Sequence, residues 1–220
     1  MTTAMILAAG LGERMRPLTD AIPKPLLEVK GKPLIQYHIE ALTKAGINEI
    51  VINHARLGNM IEDVIGDGDR FNLKIQYSSE GDDPLETAGG IINALPLIKD
   101  QNFIVVNADI YTDFDFSEMG LVANNMAHLV LVDNPKHNPD GDFALNTTKV
   151  VNKAHIKHTY SGIASFNKLF FSGQVQGKMA LAPLLREAID AGQVSGQFYQ
   201  GNWIDVGTPA RLEEANNADW

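Results

Sequence analysis

Short apolar runs alternate with amphipathic stretches along the first half of the chain. Runs of buried type predict β-strands, and apolar residues that recur every three or four positions predict helices. The predicted strands of this half cover residues 4–8, 49–53, 74–78 and 102–107. The predicted helices begin at Pro33 and Leu57, and a short one covers residues 87–95. Alternation of this kind predicts a parallel sheet with right-handed crossovers and helices on both faces.

The pattern changes after Asp109. The later predicted elements are strands over 128–133, 161–166 and 203–206, a hairpin over 142–152, and helices over 180–189 and from Pro209 onward. We expect the hairpin to add antiparallel strands that form a lid over the sheet. The predicted fold class is α/β, with a Rossmann-like, mostly parallel sheet, helices on both faces and a small antiparallel lid. No stretch has the composition of a linker, so we expect one domain over residues 1–220.

Composition and charge narrow the classes of partner. The 220 residues are 45% hydrophobic, and 18 basic against 27 acidic side chains give a net charge of −9. Binding along a nucleic acid needs a basic face, so we expect no nucleic-acid partner. The chain has no cysteine, which excludes disulfides and thiolate metal sites and fits a reducing cytoplasm. No signal-peptide pattern or long apolar stretch is present, so we expect a cytoplasmic protein without a membrane partner.

A glycine-rich segment follows the first predicted strand. It reads L-A-A-G-L-G-E-R-M-R-P-L-T over residues 7–19, and Lys24 follows between two prolines. Glycines let the backbone approach an anion closely, and successive N–H groups in such a turn form an anion site. Arg14 and Arg16 add positive charge, so the segment predicts a phosphate site that is neither a dinucleotide fingerprint nor a P-loop. The alternative interpretation is a tight turn with solvated arginines.

Two carboxylates follow predicted strands that are far apart in the chain. Asp109 ends the segment V-V-N-A-D, and Asp205 lies in W-I-D-V-G-T. Mg²⁺ prefers one or two carboxylates together with phosphate oxygens, and Asp109 at the carboxyl edge of the sheet is a candidate ligand. Two carboxylates at strand ends are what one shared Mg²⁺ site would need. The alternative for Asp109 is that it caps the next turn, and the alternative for the segment of Asp205 is that Thr208 caps the helix that follows. Asp113 and Asp115 are predicted to be turn and cap residues, and Thr208 is predicted to cap the last helix.

Small residues mark the start of the helix predicted over 87–95. The segment P-L-E-T-A-G-G covers residues 84–90. Small side chains leave room for a flat ring or a sugar, and the free N–H groups of a helix start attract phosphate or carbonyl oxygens. The segment therefore predicts contact with a base or a sugar.

Together these segments resemble the signature of the sugar-phosphate nucleotidyltransferases, L-A-A-G-x-G-x-R-[ML]-x-P-x-T with a later P-K-P-[LM] and W-x-D-[VI]-G-T. The resemblance implies the nucleotide-diphospho-sugar transferase fold, with Mg²⁺ as cofactor held by Asp109 and Asp205. It implies that Arg16 and Lys24 are catalytic, since they would hold the leaving pyrophosphate and the reacting phosphates. The implied nucleotide contacts are Ala9, Gly10, Leu11, Gly12, Glu13, Lys24, Glu86 and Gly89. The implied sugar-phosphate contacts are Asn107, Gly141 and Asp142.

The resemblance also divides the chain and suggests a reaction. Residues 1–110 would form the nucleotide-binding part, and residues 111–220 the sugar-binding part and the lid. Glu86 stands where most of the family has glycine, and in this the chain resembles the uridylyltransferase branch. That likeness implies transfer of a uridylyl group from UTP to N-acetylmuramate 1-phosphate, in the recycling of cell-wall peptidoglycan.

The implied chemistry needs charge neutralisation rather than a general base. A sugar 1-phosphate is already an anionic nucleophile, so the difficulty lies in bringing two anions together. The alternatives are a mannose-1-phosphate guanylyltransferase and a non-catalytic nucleotide-sugar sensor. The expected partners are UTP and a sugar 1-phosphate, bound by a monomer or a small homo-oligomer.

Overall fold

A computed structural model describes residues 2–120 and 125–220 of the chain. Its strands are β1 Thr3–Leu7, β2 Glu28–Val29, β3 Lys32–Pro33, β4 Glu49–His54, β5 Lys74–Ser79, β6 Asn102–Asn107, β7 Ile110–Thr112, β8 Ala127–Val132, β9 Ala144–Asn146, β10 Lys149–Val151, β11 Thr159–Asn167, β12 Val194–Phe198 and β13 Trp203–Asp205. Its α-helices are α1 Leu34–Lys44, α2 Gly58–Ile65, α3 Glu86–Ala94, α4 Leu181–Asp190 and α5 Pro209–Asn217. The strands and helices predicted for the first half are therefore confirmed, with bounds shifted by a residue or so.

Nine strands form one sheet in the order β5-β4-β1-β6-β11-β8-β12-β10-β9. The strands β5, β4, β1 and β6 are mutually parallel, as are β8 and β12. Strand β11 runs antiparallel to both β6 and β8, and β10 runs antiparallel to both β12 and β9. Two strands therefore oppose the other seven, and the expected mostly parallel sheet is confirmed.

The antiparallel additions are present in the second half. The hairpin expected over 142–152 is β9 and β10, and it pairs with β12 at Lys149 and Ser195. The hairpin thus extends the edge of the sheet instead of folding over its face as a lid. Strand β12 was not predicted, because Gly196 interrupts its apolar pattern. A Cβ at Gly196 would lie 3.0 Å from the carbonyl oxygen of Leu129, so a side chain there would crowd the neighbouring strand.

Helices cover both faces of the sheet, as the alternation predicts. On strand β1 Ile6 packs in one core with Ile39 of α1 and Ile61 of α2. Its neighbour Met5 points to the other face and packs in a second core that includes Ile91 of α3 and Leu185 of α4. Successive side chains of a strand point to opposite faces, so one buried strand serves both cores.

Glycines end the first two helices at the predicted places. Gly46 follows α1 with φ 84°, and Gly66 follows α2 with φ 73°. Positive φ is the conformation in which glycine commonly ends a helix. The chain then returns directly to the next parallel strand, so the carboxyl ends of β1, β4, β5 and β6 meet at one edge. Within the described residues, every helix falls short of the length and apolar content that a membrane crossing requires.

Candidate active site

A cavity of about 610 Å³ opens at the carboxyl ends of the central parallel strands. Ligands of open α/β sheets bind at this edge, and the volume suits a small-molecule site. Nine residues implied by the family resemblance line it: Ala9, Gly10, Leu11, Gly12, Glu13, Lys24, Glu86, Asn107 and Asp109. The wall also includes Arg14, Asn53, Glu80, Thr87, Lys178 and Gly207. The glycine-rich segment and the start of α3 therefore line one cavity.

The glycine-rich segment is held in a tight turn at Gly12. This residue has φ 65°, and a Cβ there would lie 2.9 Å from Cγ2 of Thr19. Its carbonyl oxygen accepts hydrogen bonds from Thr19 Oγ1 and from the backbone N–H of Met15, both at 2.8 Å. Met15 is fully buried and anchors the turn in a third, smaller core. Two hydrogen bonds and one buried side chain therefore hold the turn at Gly12.

Lys24 lies in the cavity wall and forms an ion pair with Asp109. Its Nζ lies 2.6 Å from Asp109 Oδ2, and the lysine is only 8% exposed. Pro23 and Pro25 flank the lysine, and a short 3-10 turn begins at it. A buried ion pair depends on good geometry, because desolvation of both charges offsets much of their attraction. The pair thus places one cation and one carboxylate side by side, facing the cavity.

The two predicted metal aspartates are brought together by a small second sheet. Strand β13 pairs antiparallel with β7, and Asp205 lies opposite Ile110. The N–H of Val206 donates to the carbonyl oxygen of Asp109 at 2.8 Å. The backbones that carry the two aspartates are therefore hydrogen-bonded neighbours, although the residues are far apart in the sequence.

One oxygen of Asp205 is engaged and the other is not. Arg211 Nη1 donates to Asp205 Oδ2 at 2.7 Å, and His137 Nε2 lies 3.2 Å from the same oxygen. Asp205 Oδ1 is buried and has no hydrogen-bond partner among the described residues. Gly207 lines the cavity, and a Cβ there would lie 2.3 Å from Arg211 Nη2. The glycine therefore leaves the space in which Arg211 reaches the carboxylate.

Five of the implied site residues lie outside the cavity wall: Arg16, Gly89, Gly141, Asp142 and Asp205. Arg16 is exposed, and its Nε lies 3.4 Å from Asp20 Oδ1. Asp142 Oδ2 accepts from the N–H of Tyr160 at 2.9 Å, and Gly141 has φ 64° in the same turn. Asp205 lies two residues before Gly207, which does line the cavity. The hydrogen bond of Asp142 and the positive φ of Gly141 therefore stabilise the loop in which these two residues lie.

The predicted cap roles of Asp115 and Thr208 are confirmed, whereas Asp113 makes long-range contacts instead of a turn. Asp113 accepts hydrogen bonds from the hydroxyl of Tyr199 and from Asn202, and these bonds hold its pKa below the usual range although burial acts against them. Asp115 accepts from the N–H of Ser117 at 2.9 Å. Thr208 accepts from the N–H of Arg211 and caps α5.

The start of α3 holds the glutamate of the P-L-E-T segment in a backbone conformation that favours glycine. Glu86 has φ 61°, the left-handed region in which glycine is favoured. The glycine usual at this position in the resembling family fits that geometry without cost. Glu86 is exposed at the cavity, and its Oε1 lies 4.0 Å from Nζ of Lys178. The glutamate therefore adds a negative charge at the mouth of the cavity at the expense of backbone strain.

Gly89 has a packing role that a substitution can test. Its N–H donates to the carbonyl oxygen of Met179 at 3.1 Å, and a Cβ would lie 2.2 Å from the carbonyl oxygen of Gly177. We expect Gly89→Ala to lower the free energy of unfolding by about 1–3 kcal/mol, because the backbone of the facing loop must move. Urea unfolding measures this. Gly10→Ala is the control, since its Cβ meets no described atom within 4 Å; equal stability of the two variants would contradict the packing role.

Some residues of the cavity wall were not predicted from the sequence. Asn53 lies near the end of β4, and Glu80 directly follows β5. Lys178 lies in the loop before α4. No motif surrounds them, and a polar residue at the end of an apolar strand was the only available signal for Asn53. Their place in the wall depends on strand order, which the sequence pattern leaves open.

A buried histidine lies behind the site. His38 of α1 is 2% exposed, and burial lowers its pKa to about 4 even though the backbone carbonyl of Ile110 and the charge of Asp109 act in the opposite direction. Its Nε2 has no hydrogen-bond partner among the described residues. The histidine is therefore neutral in the folded protein at pH 7.

The low pKa of His38 makes stability fall in mild acid. The unfolded chain takes up a proton near pH 6.5, whereas the folded chain resists it down to about pH 4. The contribution is thus fully present above pH 6.5 and is lost as the pH falls toward 4. We expect the unfolding free energy of the wild type to fall about 2 kcal/mol more between pH 7 and pH 5 than that of His38→Gln. Parallel stability curves in urea would contradict this.

Comparison with known proteins identifies relatives over the whole chain. The chain matches the family model described as Nucleotidyl transferase over residues 3–155. It is 52% identical over 222 residues to the N-acetylmuramate alpha-1-phosphate uridylyltransferase of Neisseria meningitidis serogroup B, covering 96% of each chain. It is 30% identical to the mannose-1-phosphate guanylyltransferase catalytic subunit beta of Xenopus tropicalis, covering 94% of this chain and 61% of that protein.

Solved structures share the fold. HddC from Yersinia pseudotuberculosis, complexed with GMP-PN, has a TM-score of 0.81 at 24% identity over 98% of both chains. The inositol-1-phosphate CTP transferase from T. maritima has a TM-score of 0.79 at 18% identity, covering 99% of this chain and 97% of that one. The likeness to sugar-phosphate nucleotidyltransferases is thereby confirmed, and the family model spans more than half of the residues. The chain belongs to the nucleotidyl transferase family.

Proposed function

We propose that the protein transfers a uridylyl group from UTP to N-acetylmuramate 1-phosphate, giving UDP-N-acetylmuramate and pyrophosphate, in peptidoglycan recycling. The observation that carries the proposal is the 52% identity, over 96% of each chain, to a relative of that name. The cavity supports it, because the glycine-rich segment, Lys24 and Asp109 line a single space large enough for a nucleotide.

The proposed binding follows the division of the chain. Residues 1–110 bind the nucleotide, with the triphosphate on the backbone of residues 9–13 and the base toward Glu86 and Gly89. Residues 111–220 supply the sugar side through the loop at Gly141 and Asp142, with Asn107 between the two parts. The cavity wall draws on both parts, since Lys178 and Gly207 line it together with the glycine-rich segment.

The reaction joins two anions, so the residues of the site act chiefly by charge and position. An oxygen of the sugar 1-phosphate attacks the α-phosphorus of UTP while the bond to pyrophosphate breaks. Lys24, held at 2.6 Å from Asp109, supplies a fixed positive charge beside the reacting phosphates. Arg16 lies outside the cavity wall in this structure, and its proposed role is to meet the outer end of the leaving pyrophosphate. The nucleophile is already ionised, so no side chain needs to remove a proton.

The donor set also fits a divalent cation. Mg²⁺ takes one or two carboxylates together with phosphate oxygens, and Asp109 and Asp205 lie on hydrogen-bonded backbone segments. Asp205 Oδ1 is buried without a described partner, which is the environment expected for an oxygen that receives a cation. We propose that these two residues hold Mg²⁺, which when bound neutralises charge on the phosphate oxygens.

A substrate panel tests the proposed function. The protein is incubated with Mg²⁺, with UTP, GTP, CTP, ATP or dTTP, and with the 1-phosphates of N-acetylmuramate, N-acetylglucosamine, glucose or mannose, and pyrophosphate release is measured. We expect the highest kcat/KM with UTP and the muramic sugar. Preference for GTP and mannose 1-phosphate would replace the proposal by guanylyl transfer, which the 30% identical relative represents. No release with any pair would favour the sensor alternative.

A further inference from the structure

Three separate segments at the cavity are tied together by one line of hydrogen bonds. The N–H of Ala8, at the start of the glycine-rich segment, donates to Asn53 Oδ1 at 2.8 Å. Asn53 Nδ2 donates to Glu80 Oε1 at 2.6 Å. The N–H of Leu85, just before α3, donates to Glu80 Oε2 at 2.7 Å. We call these two side chains, Asn53 and Glu80, the bracket.

The bracket is built into the fold. Asn53 is 2% exposed, and Glu80 is half-buried in the cavity wall. A Cβ at Gly90 would lie 2.4 Å from Glu80 Oε1 and 2.7 Å from Asn53 Nδ2, so α3 can approach only because that position is glycine. Buried polar groups that are fully paired hold a single arrangement, because breaking one bond leaves a desolvated group unsatisfied.

We propose that Asn53 and Glu80 are positioning residues that set the spacing between the two walls of the nucleotide site. This inference rests on the proposed function, since it takes the nucleotide to lie between the glycine-rich segment and the start of α3. One end of the bracket fixes Ala8, next to the proposed triphosphate loop, and the other fixes Leu85, next to Glu86. The bracket therefore governs UTP affinity, while Lys24 governs turnover.

The same contacts assign a role to the Glu80 carboxylate. One oxygen accepts from Asn53 and the other from Leu85. Neither oxygen is left without a donor, so the carboxylate acts on the loop at 84–87 and not as a proton acceptor in the reaction. The donor and acceptor roles along this series of hydrogen bonds are fixed, because the groups at its two ends are backbone N–H donors, those of Ala8 and Leu85.

That fixed polarity permits a sharp exchange experiment. Asn53→Asp alone places the new carboxylate of residue 53 against the carboxylate of Glu80, so two acceptors face each other. Glu80→Gln alone introduces an amide N–H₂ group that must face another donor, either Asn53 Nδ2 or the N–H of Leu85. The double variant Asn53→Asp/Glu80→Gln restores every donor–acceptor pair and keeps the same net charge. We expect each single variant to raise the Kd of UTP, measured by calorimetry, about tenfold or more and to change kcat at saturating UTP less than threefold. The double variant should return the Kd to within about threefold of the wild type.

Controls separate the bracket from general effects of the same substitutions. Asn217→Asp/Glu213→Gln makes the same two chemical changes at exposed positions of α5 and should leave the Kd of UTP unchanged. A double variant that binds UTP no better than the single variants overturns the inference, as do single variants with the wild-type Kd. If a single variant fails to fold, the double variant alone decides. Failure of the wild type to bind UTP would instead count against the proposed function.

Discussion

Lys24→Ala is expected to lower kcat about 10³-fold while the Kd of UTP changes less than about threefold. The Nζ of Lys24 lies in the cavity wall, 2.6 Å from Asp109 Oδ2, and is nearly buried. A fixed charge in such a site stabilises the charge that develops in the transition state far more than it stabilises the bound substrate. The measurement is steady-state kinetics with UTP and N-acetylmuramate 1-phosphate, together with calorimetric binding of UTP.

Two further measurements make this result interpretable. Removal of the lysine leaves Asp109 without its partner, so thermal unfolding must show that the variant is folded under assay conditions. Lys44→Ala, at an exposed position near the end of α1, is the matched control and should keep wild-type kinetics. Equal losses in kcat and in UTP binding would assign Lys24 to ground-state binding instead of the transition state.

Asp205→Asn is expected to raise the Mg²⁺ concentration for half-maximal activity about tenfold or more. The substitution keeps the shape of the side chain and an oxygen that can accept from Arg211, which donates at 2.7 Å. It removes the negative charge of the side chain, and a divalent cation binds a charged carboxylate more strongly than a neutral amide. The measurement is activity against Mg²⁺ concentration, with direct binding of Mn²⁺ followed by electron paramagnetic resonance.

Asp115→Asn provides the control for this second experiment. Asp115 accepts from the N–H of Ser117 in a cap, and asparagine caps equally well. Its Mg²⁺ dependence should therefore match that of the wild type. Unchanged Mg²⁺ dependence in Asp205→Asn would remove Asp205 from the cation site and leave Arg211 and His137 as its only described partners.

Local patterns were sufficient to predict the parallel half of the sheet and to propose a phosphate site at the glycine-rich segment. The strands that became β1, β4, β5 and β6 are short apolar runs bounded by turn residues, and such runs depend on neighbours only a few positions away. The glycine-rich segment predicted a phosphate site for the same reason, because its small residues and cations are contiguous. Strand β12 was missed because Gly196, which packs closely against the neighbouring strand, also breaks the apolar pattern of β12.

The residues outside the cavity wall show that a sequence motif does not predict which partner a charged side chain will contact. Arg16 and Asp142 carry the charges that the family resemblance assigns to the site, yet Arg16 pairs with Asp20 at the surface and Asp142 bonds to Tyr160. Arg16 takes a partner only four residues away, whereas Asp142 takes one from strand β11, which the fold brings next to it. The resemblance could not indicate either contact.

By itself the sequence determined the alternation of strands and helices, the absence of thiol chemistry, and the residue types that could hold phosphate and a cation. Only the tertiary structure decided that Asp109 and Asp205 would lie on hydrogen-bonded backbone segments and that Arg211 would donate to one oxygen of Asp205. It also decided that Asn53 and Glu80 would connect the glycine-rich segment to the start of α3. The physical reason is the distance along the chain over which each kind of interaction acts. Periodicity and turn chemistry act over a few residues, whereas a site is made of side chains that strand order brings together.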